Sequence, residues 1–121
     1  MKQLLSIFTL LFAVILISGS SFAQDATEVD PDHYKVEFEN DQVRVLRITY
    51  GAGEKSVMHE HPEGMAIFLT DGEGKFTLPD GTSVETSFKS GEFSWMPAQE
   101  HQPENTGDKP FEVIQIEMKT K

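Results

Sequence analysis

The 121-residue chain contains no cysteine. That excludes disulfides, thiolate catalysis, a thiolate metal site and an iron–sulfur cluster, so the fold must hold by packing, with or without a metal. Cations are scarce: 10 lysines and arginines stand against 20 aspartates and glutamates, a formal charge of −10. Such a balance argues against nucleic acid and against an anionic membrane surface as partners. Long hydrophobic runs are limited to one, Leu4 to Ile17. Beyond it, no segment sustains the 3.6-residue apolar period of an amphipathic helix.

That single run belongs to a leader. Lys2 gives a positive start, the apolar stretch follows, and Ser18-Gly19-Ser20-Ser21-Phe22-Ala23 supplies small residues with Ser21 and Ala23 where a signal peptidase requires them. The run is shorter than the roughly 20 residues that cross a bilayer. Residues 1–23 therefore read as a signal peptide cut after Ala23, with no stable membrane anchor, and the protein is expected to be periplasmic or secreted. Its loss leaves 98 of the 121 residues and, with Lys2 gone, a charge of −11. That length suits one domain. Residues 24–33, polar and carrying Asp30-Pro31, read as a flexible N-terminal segment.

From Tyr34 to the end at residue 121 the texture is β. Short runs rich in strand formers cover Tyr34–Glu39, Val43–Tyr50, Met65–Thr70, Lys75–Leu78, Val84–Phe88, Glu92–Met96 and Phe111–Met118, broken by Gly, Pro and Asp punctuation. Leu78-Pro79-Asp80-Gly81-Thr82 has the composition of a tight hairpin. Strands of this length without intervening helix predict an all-β, antiparallel sandwich or barrel. Met65, Ile67 and Leu69 share one face of their strand, and Ile114, Ile116 and Met118 share one face of theirs. In Val43–Tyr50 the apolar parity changes, from Val43 and Val45 to Leu46, Ile48 and Tyr50, which a β-bulge or burial on both faces would explain.

Two patterns carry the chemistry. The first is Gly53-x5-His59-x-His61, closed by Gly72; the second is Gly91-x5-Pro97-x3-His101-x3-Asn105, after an interval of 18 residues. In an extended stretch His59 and His61 leave the same face, because strand side chains alternate. A folded barrel or sandwich could bring His101 to them, and three imidazoles on one inner surface suit a divalent transition metal.

In order and framing, these patterns resemble the two motifs of the cupin superfamily, and the chain looks like a small single-domain member of it. The resemblance covers most of the chain after the leader. It implies a jelly-roll barrel, often dimeric, with His59, His61 and His101 as metal ligands at the barrel mouth. Two departures stand out. The motif glutamate expected before Gly72 falls on Met65, and a motif glycine is replaced by Gln99 in a loop one residue shorter. Gln99 lacks the freedom of glycine at positive φ, which would alter the approach of His101.

Without that carboxylate, three neutral imidazoles leave the metal's +2 charge uncompensated, which favours an anionic ligand. The nitrogen donors suit Fe, Zn, Cu, Ni or Mn. Glu63 is the first candidate for an additional ligand and Glu104 the second. Met65 reads either as a core filler or as a thioether beside copper. Trp95 is a candidate for the ligand pocket, and Asn105 for bracing the backbone or orienting an imidazole. Arg44 and Arg47 read as surface cations, or as carboxylate binders if they point inward, and His33 as a surface residue.

Three functions compete. One is a dioxygenase-like metalloenzyme acting on a small anionic substrate, with acid–base help from Glu63, Glu104 or bound water. Another is a non-catalytic module for a small ligand or metal. The last is a dimeric scaffold with a vestigial site. The residues assign no catalytic acid–base pair.

Overall fold

The computed structural model describes residues 24–119. The signal peptide expected over residues 1–23 lies outside them. Where the sequence suggested a loose lead-in, residues 24–33 carry a helical turn, α1 (Ala26–Val29). Asp25 caps it by accepting from the Thr27 backbone N–H at 2.9 Å, and Ala26 is fully buried. His33, expected at the surface, stacks flat on Tyr50 at 4.3 Å and bonds Asp30 and Glu54 through its two ring nitrogens.

Nine strands follow among the described residues. They are β1 (Tyr34–Glu39), β2 (Val43–Tyr50), β3 (His59–His61), β4 (Gly64–Phe68), β5 (Gly72–Thr77), β6 (Ser83–Phe88), β7 (Phe93–Met96), β8 (Gln99–Asn105) and β9 (Phe111–Met118). They form two antiparallel sheets, ordered β1-β2-β9-β4-β7 and β3-β8-β5-β6. The expected all-β architecture is the one observed. The Leu78–Thr82 turn forms as expected, with Leu78 N–H donating to Thr82 C=O at 2.8 Å and Gly81 at φ +87°.

Strand alternation sorts side chains between an interior and an outer face. On β2 the inward set is Leu46, Ile48 and Tyr50, all buried, with Arg44 continuing the same parity at the rim. Burial of each of the apolar members contributes about 1.5–3 kcal/mol. β2 pairs with β9 without interruption from Val43 to Tyr50, so its parity does not switch; the sequence is apolar on both faces. The irregularity sits on β1 instead, between Val36 and Phe38.

The outer face of the five-stranded sheet explains the second apolar set. Cross-strand register lines up Phe38, Val45, Ile116, Met65 and Trp95 in one row, and Arg47, Ile114, Ile67 and Phe93 in the next. Phe38, Phe93 and Trp95 are 53%, 72% and 52% exposed there. Arg47 is held within that face by Glu37 and Glu112.

Candidate metal centre

β3 and β8, the two strands that place the histidines, have almost no β-forming side chains. What fixes them is register: His59 lies directly opposite His101, and His61 opposite Gln99. Alternation then turns His59, His61 and His101 to the interior, where they are 0%, 3% and 4% exposed. Their ring centroids are 4.8, 5.1 and 5.3 Å apart. One nitrogen from each ring lies within 4.8 Å of one from both others. Metal–nitrogen bonds of ~2.1 Å would close that triangle if each ring moved inward by less than about 1 Å.

The donor set fits a metal. The His59 Nδ1–H donates to the Val57 carbonyl at 2.8 Å, and the His61 Nδ1–H to Glu117 Oε2 at 2.7 Å. A carbonyl and a carboxylate can only accept, so Nδ1 carries a proton in both rings and Nε2 is the nitrogen left to face the centre. His59 Nε2 and both nitrogens of His101 are buried without any hydrogen-bond partner. Such orphans are rare in a folded interior and a shared cation satisfies them. Burial, and next the neighbouring His61, push the pKa of His59 down to about 4. Burial with His61 and His59 pushes that of His101 down to about 3. At neutral pH both are therefore lone-pair donors. Phe76 stacks on the His101 ring at 4.8 Å, and Tyr34 meets His59 edge-on at 4.8 Å.

A residue that the motifs did not reveal completes the surroundings. Glu117 comes from β9 in the opposite sheet, and its side chain is 1% exposed. Besides its bond to His61, it accepts from Arg44 Nε at 2.7 Å. Arg44 donates in turn to Asp25 Oδ2 at 2.5 Å. Burial raises the Asp25 pKa, but the hydrogen bonds from Arg44 and Thr27 outweigh it and hold the carboxyl below its ordinary value. The expectation of an uncompensated +2 centre is corrected accordingly. Arg44 and Asp25 cancel, and Glu117 leaves about one positive charge beside a divalent ion. Arg44 does point inward, but it is engaged with these carboxylates.

Other expected site residues lie elsewhere. Met65 and Trp95 pair with each other on the outer face, because the inward positions of β4 are Gly64, Ala66 and Phe68. Neither belongs to the centre or to a pocket beside it. Glu63 is exposed, and only its backbone carbonyl is used, accepting from Met118 N–H at 2.9 Å. Glu104 faces Lys75 at 3.6 Å. Gln99 needs no positive φ, since β8 begins at it and is extended. Asn105, 1% exposed, is a brace: its amide donates to the Lys109 carbonyl at 2.8 Å and the Tyr50 carbonyl at 3.3 Å, and accepts from Gly107 N–H at 2.9 Å.

A family model described as a cupin domain matches residues 46–117. The chain belongs to the cupin family. Solved cupins share the fold. A cupin domain from Bordetella pertussis Tohama I is 26% identical, with a TM-score of 0.67 over 72% of this chain and 92% of that one. An RmlC-like cupin family protein with a double-stranded β-helix fold, from Methanocaldococcus jannaschii, is 18% identical, with a TM-score of 0.56 over 70% of this chain and 77% of that one. A Bacillus halodurans protein is 18% identical, with a TM-score of 0.59 over 74% and 71%. No curated protein matches. Beside the histidines, the interior of this cupin holds a cavity of about 70 Å³. Aromatic rings from Phe68, Phe76 and Phe88 wall it, and His61, His101 and Gln115 reach it.

Proposed function

We propose that this cupin is exported and there holds a divalent transition metal on His59, His61 and His101, with a small anionic molecule bound at the metal's open side. The observation that carries the reading is the set of buried imidazole nitrogens without partners, His59 Nε2 and both nitrogens of His101, beside His61, whose Nδ1, like that of His59, is tied down. Fe, Zn, Cu, Ni and Mn all suit the nitrogen donors. When bound, the metal supplies Lewis acidity and, if redox-active, a route to dioxygenase-like oxidation. The protein's part is to orient the rings, exclude water behind Phe76 and Tyr34, and offset one charge through Glu117.

Elemental analysis of the purified protein after cleavage tests this. About one metal per chain is expected, with a rise in Tm on metal loading, and His59→Ala should lose both. N-terminal sequencing of the exported protein should begin at Gln24. Absence of metal and of any Tm change after loading would leave a scaffold with a vestigial site.

A non-catalytic binding module is the second reading, and one observation favours it. Among the described residues, the carboxylates expected to do acid–base work are occupied or remote, since Glu63 is exposed and Glu104 pairs with Lys75, and the newly found Glu117 is shared by His61 and Arg44. Oxygen consumption with a panel of small carboxylates and enolates separates the two.

We infer too that a second copy of this chain covers the outer apolar face. At ~200 Å² per aromatic side chain, the exposed parts of Phe38, Phe93 and Trp95 amount to roughly 350 Å². With the aliphatic neighbours this forms the apolar core of a standard interface of ~800 Å² per partner. Arg47 sits there with its charge already met by Glu37 and Glu112. The face can therefore be buried against itself without stranding a lone cation.

A further inference from the structure

We propose that Gln115 donates the hydrogen bond that orients a short monocarboxylate at the three-histidine centre; the inference rests on the metal-binding reading above. Gln115 lies on β9 between Leu46 and Ala66 of the neighbouring strands, in an otherwise apolar inward row. It is 6% exposed, and its Nε2 has no hydrogen-bond partner. An unpaired buried amide costs stability that a leucine at the same place would not. Its presence in that row is accounted for by a ligand.

The position matches. Gln115 stands two residues before Glu117 on the same face of β9, about 7 Å along the strand. Glu117 touches His61, and Gln115 lines the cavity that His61 and His101 also line. Most of the other polar side chains of that cavity are committed, the half-buried Thr86 hydroxyl excepted. The Tyr34 and Tyr50 hydroxyls bond each other at 2.5 Å, and the Glu104 carboxylate faces Lys75. Of the groups that remain, the Gln115 amide is the buried one without a partner, and with the metal face it is placed to hold a ligand.

Size and charge define the ligand class. One water-sized unit takes about 10–15 Å³, so the cavity's 70 Å³ admits about five to seven non-hydrogen atoms. The remaining positive charge at the centre calls for a monoanion. One carboxylate oxygen on the metal, the other on Gln115 Nε2, and a tail of about one to four carbons among the phenylalanines satisfies each constraint. Being neutral, Gln115 donates without disturbing the charge balance that Glu117 sets.

The test uses the full protein after cleavage, as wild type, Gln115→Leu and the longer Gln115→Met, each loaded with cobalt(II). Cobalt affinity is read from the visible absorption of the bound ion, followed by titration with acetate and with the bulkier benzoate. Cobalt should bind all three within about threefold. Acetate should bind wild type and weaken about tenfold or more in both variants, the loss of one hydrogen bond to a charged group. Benzoate should not perturb the wild-type spectrum. Unchanged acetate affinity in the variants, no acetate binding by wild type, or a collapse of cobalt affinity in the variants (which would make Gln115 a metal ligand) overturns this inference alone. Failure of wild type to take up cobalt overturns the metal reading, and this one with it.

Discussion

Glu117 and His61 meet at 2.7 Å across the space between the two sheets, a carboxylate from β9 receiving the Nδ1 proton of an imidazole from β3. The bond fixes which His61 nitrogen faces the centre and makes that nitrogen a better donor. Glu117→Gln keeps the shape but removes the charge and leaves Arg44 with one carboxylate fewer. Metal affinity should fall roughly 10–100-fold, measured by competition with a chromophoric chelator. An unchanged affinity would mean that Glu117 serves packing alone.

Acid should destabilise the metal-free protein. An unfolded histidine titrates near 6.5, whereas His59 and His101 titrate at about 4 and about 3 in the fold. Between those values the unfolded chain binds protons that the folded chain refuses. Stability is therefore present above 6.5 and is lost as pH falls through that window. Asp25 and Asp30, both held low, add loss of the same sign. His33, held high, gives stability that is present below 6.5 and is lost as pH rises through its folded pKa. Tm of the metal-free protein should drop by more than about 10 °C from pH 7 to 4.5. His101→Leu should flatten that slope; the same slope in the variant would trace it to other groups.

Asn105→Ala should cost about 2–4 kcal/mol, because it strands two carbonyls and one N–H that the side chain satisfies. Denaturant titration measures the loss. Metal affinity of the folded variant should stay within about threefold of wild type; a larger change would place Asn105 in the orientation of His101.

Light scattering behind size exclusion should report a dimer, and Trp95→Glu should report a monomer that still binds metal. A monomeric wild type would show the outer face to be free in solution.

The sequence made the strands rich in β-branched and aromatic residues legible, with β1, β2 and β9 bounded as expected. It did not reveal β3 and β8, whose His-Glu-His and Gln-Glu-His-Gln-Pro-Glu-Asn sequences become strands through pairing and buried polar groups. The histidine trio could be read because its spacing survives without any knowledge of face. Glu117 could not. On β9 the outward residues Ile114, Ile116 and Met118 look like the core face, while Gln115 and Glu117 look like the solvent face. The alternation is real, but its direction is inverted by the apolar outer surface. Met65 and Trp95 are site candidates by position, one at the motif's glutamate place and the other six residues before His101, and position alone does not tell that both face outward.

The tie from Asp25 through Arg44 to Glu117 bears on how the protein can be handled. Asp25 and Lys119 border one surface hollow with Arg44 and Glu117, so an affinity tag fused close to Asp25 or Lys119 would crowd the Arg44–Glu117 pair that holds His61. Purification handles and fluorophores are better placed on the exposed Asp80–Gly81 hairpin tip, and trimming past Asp25 should be avoided.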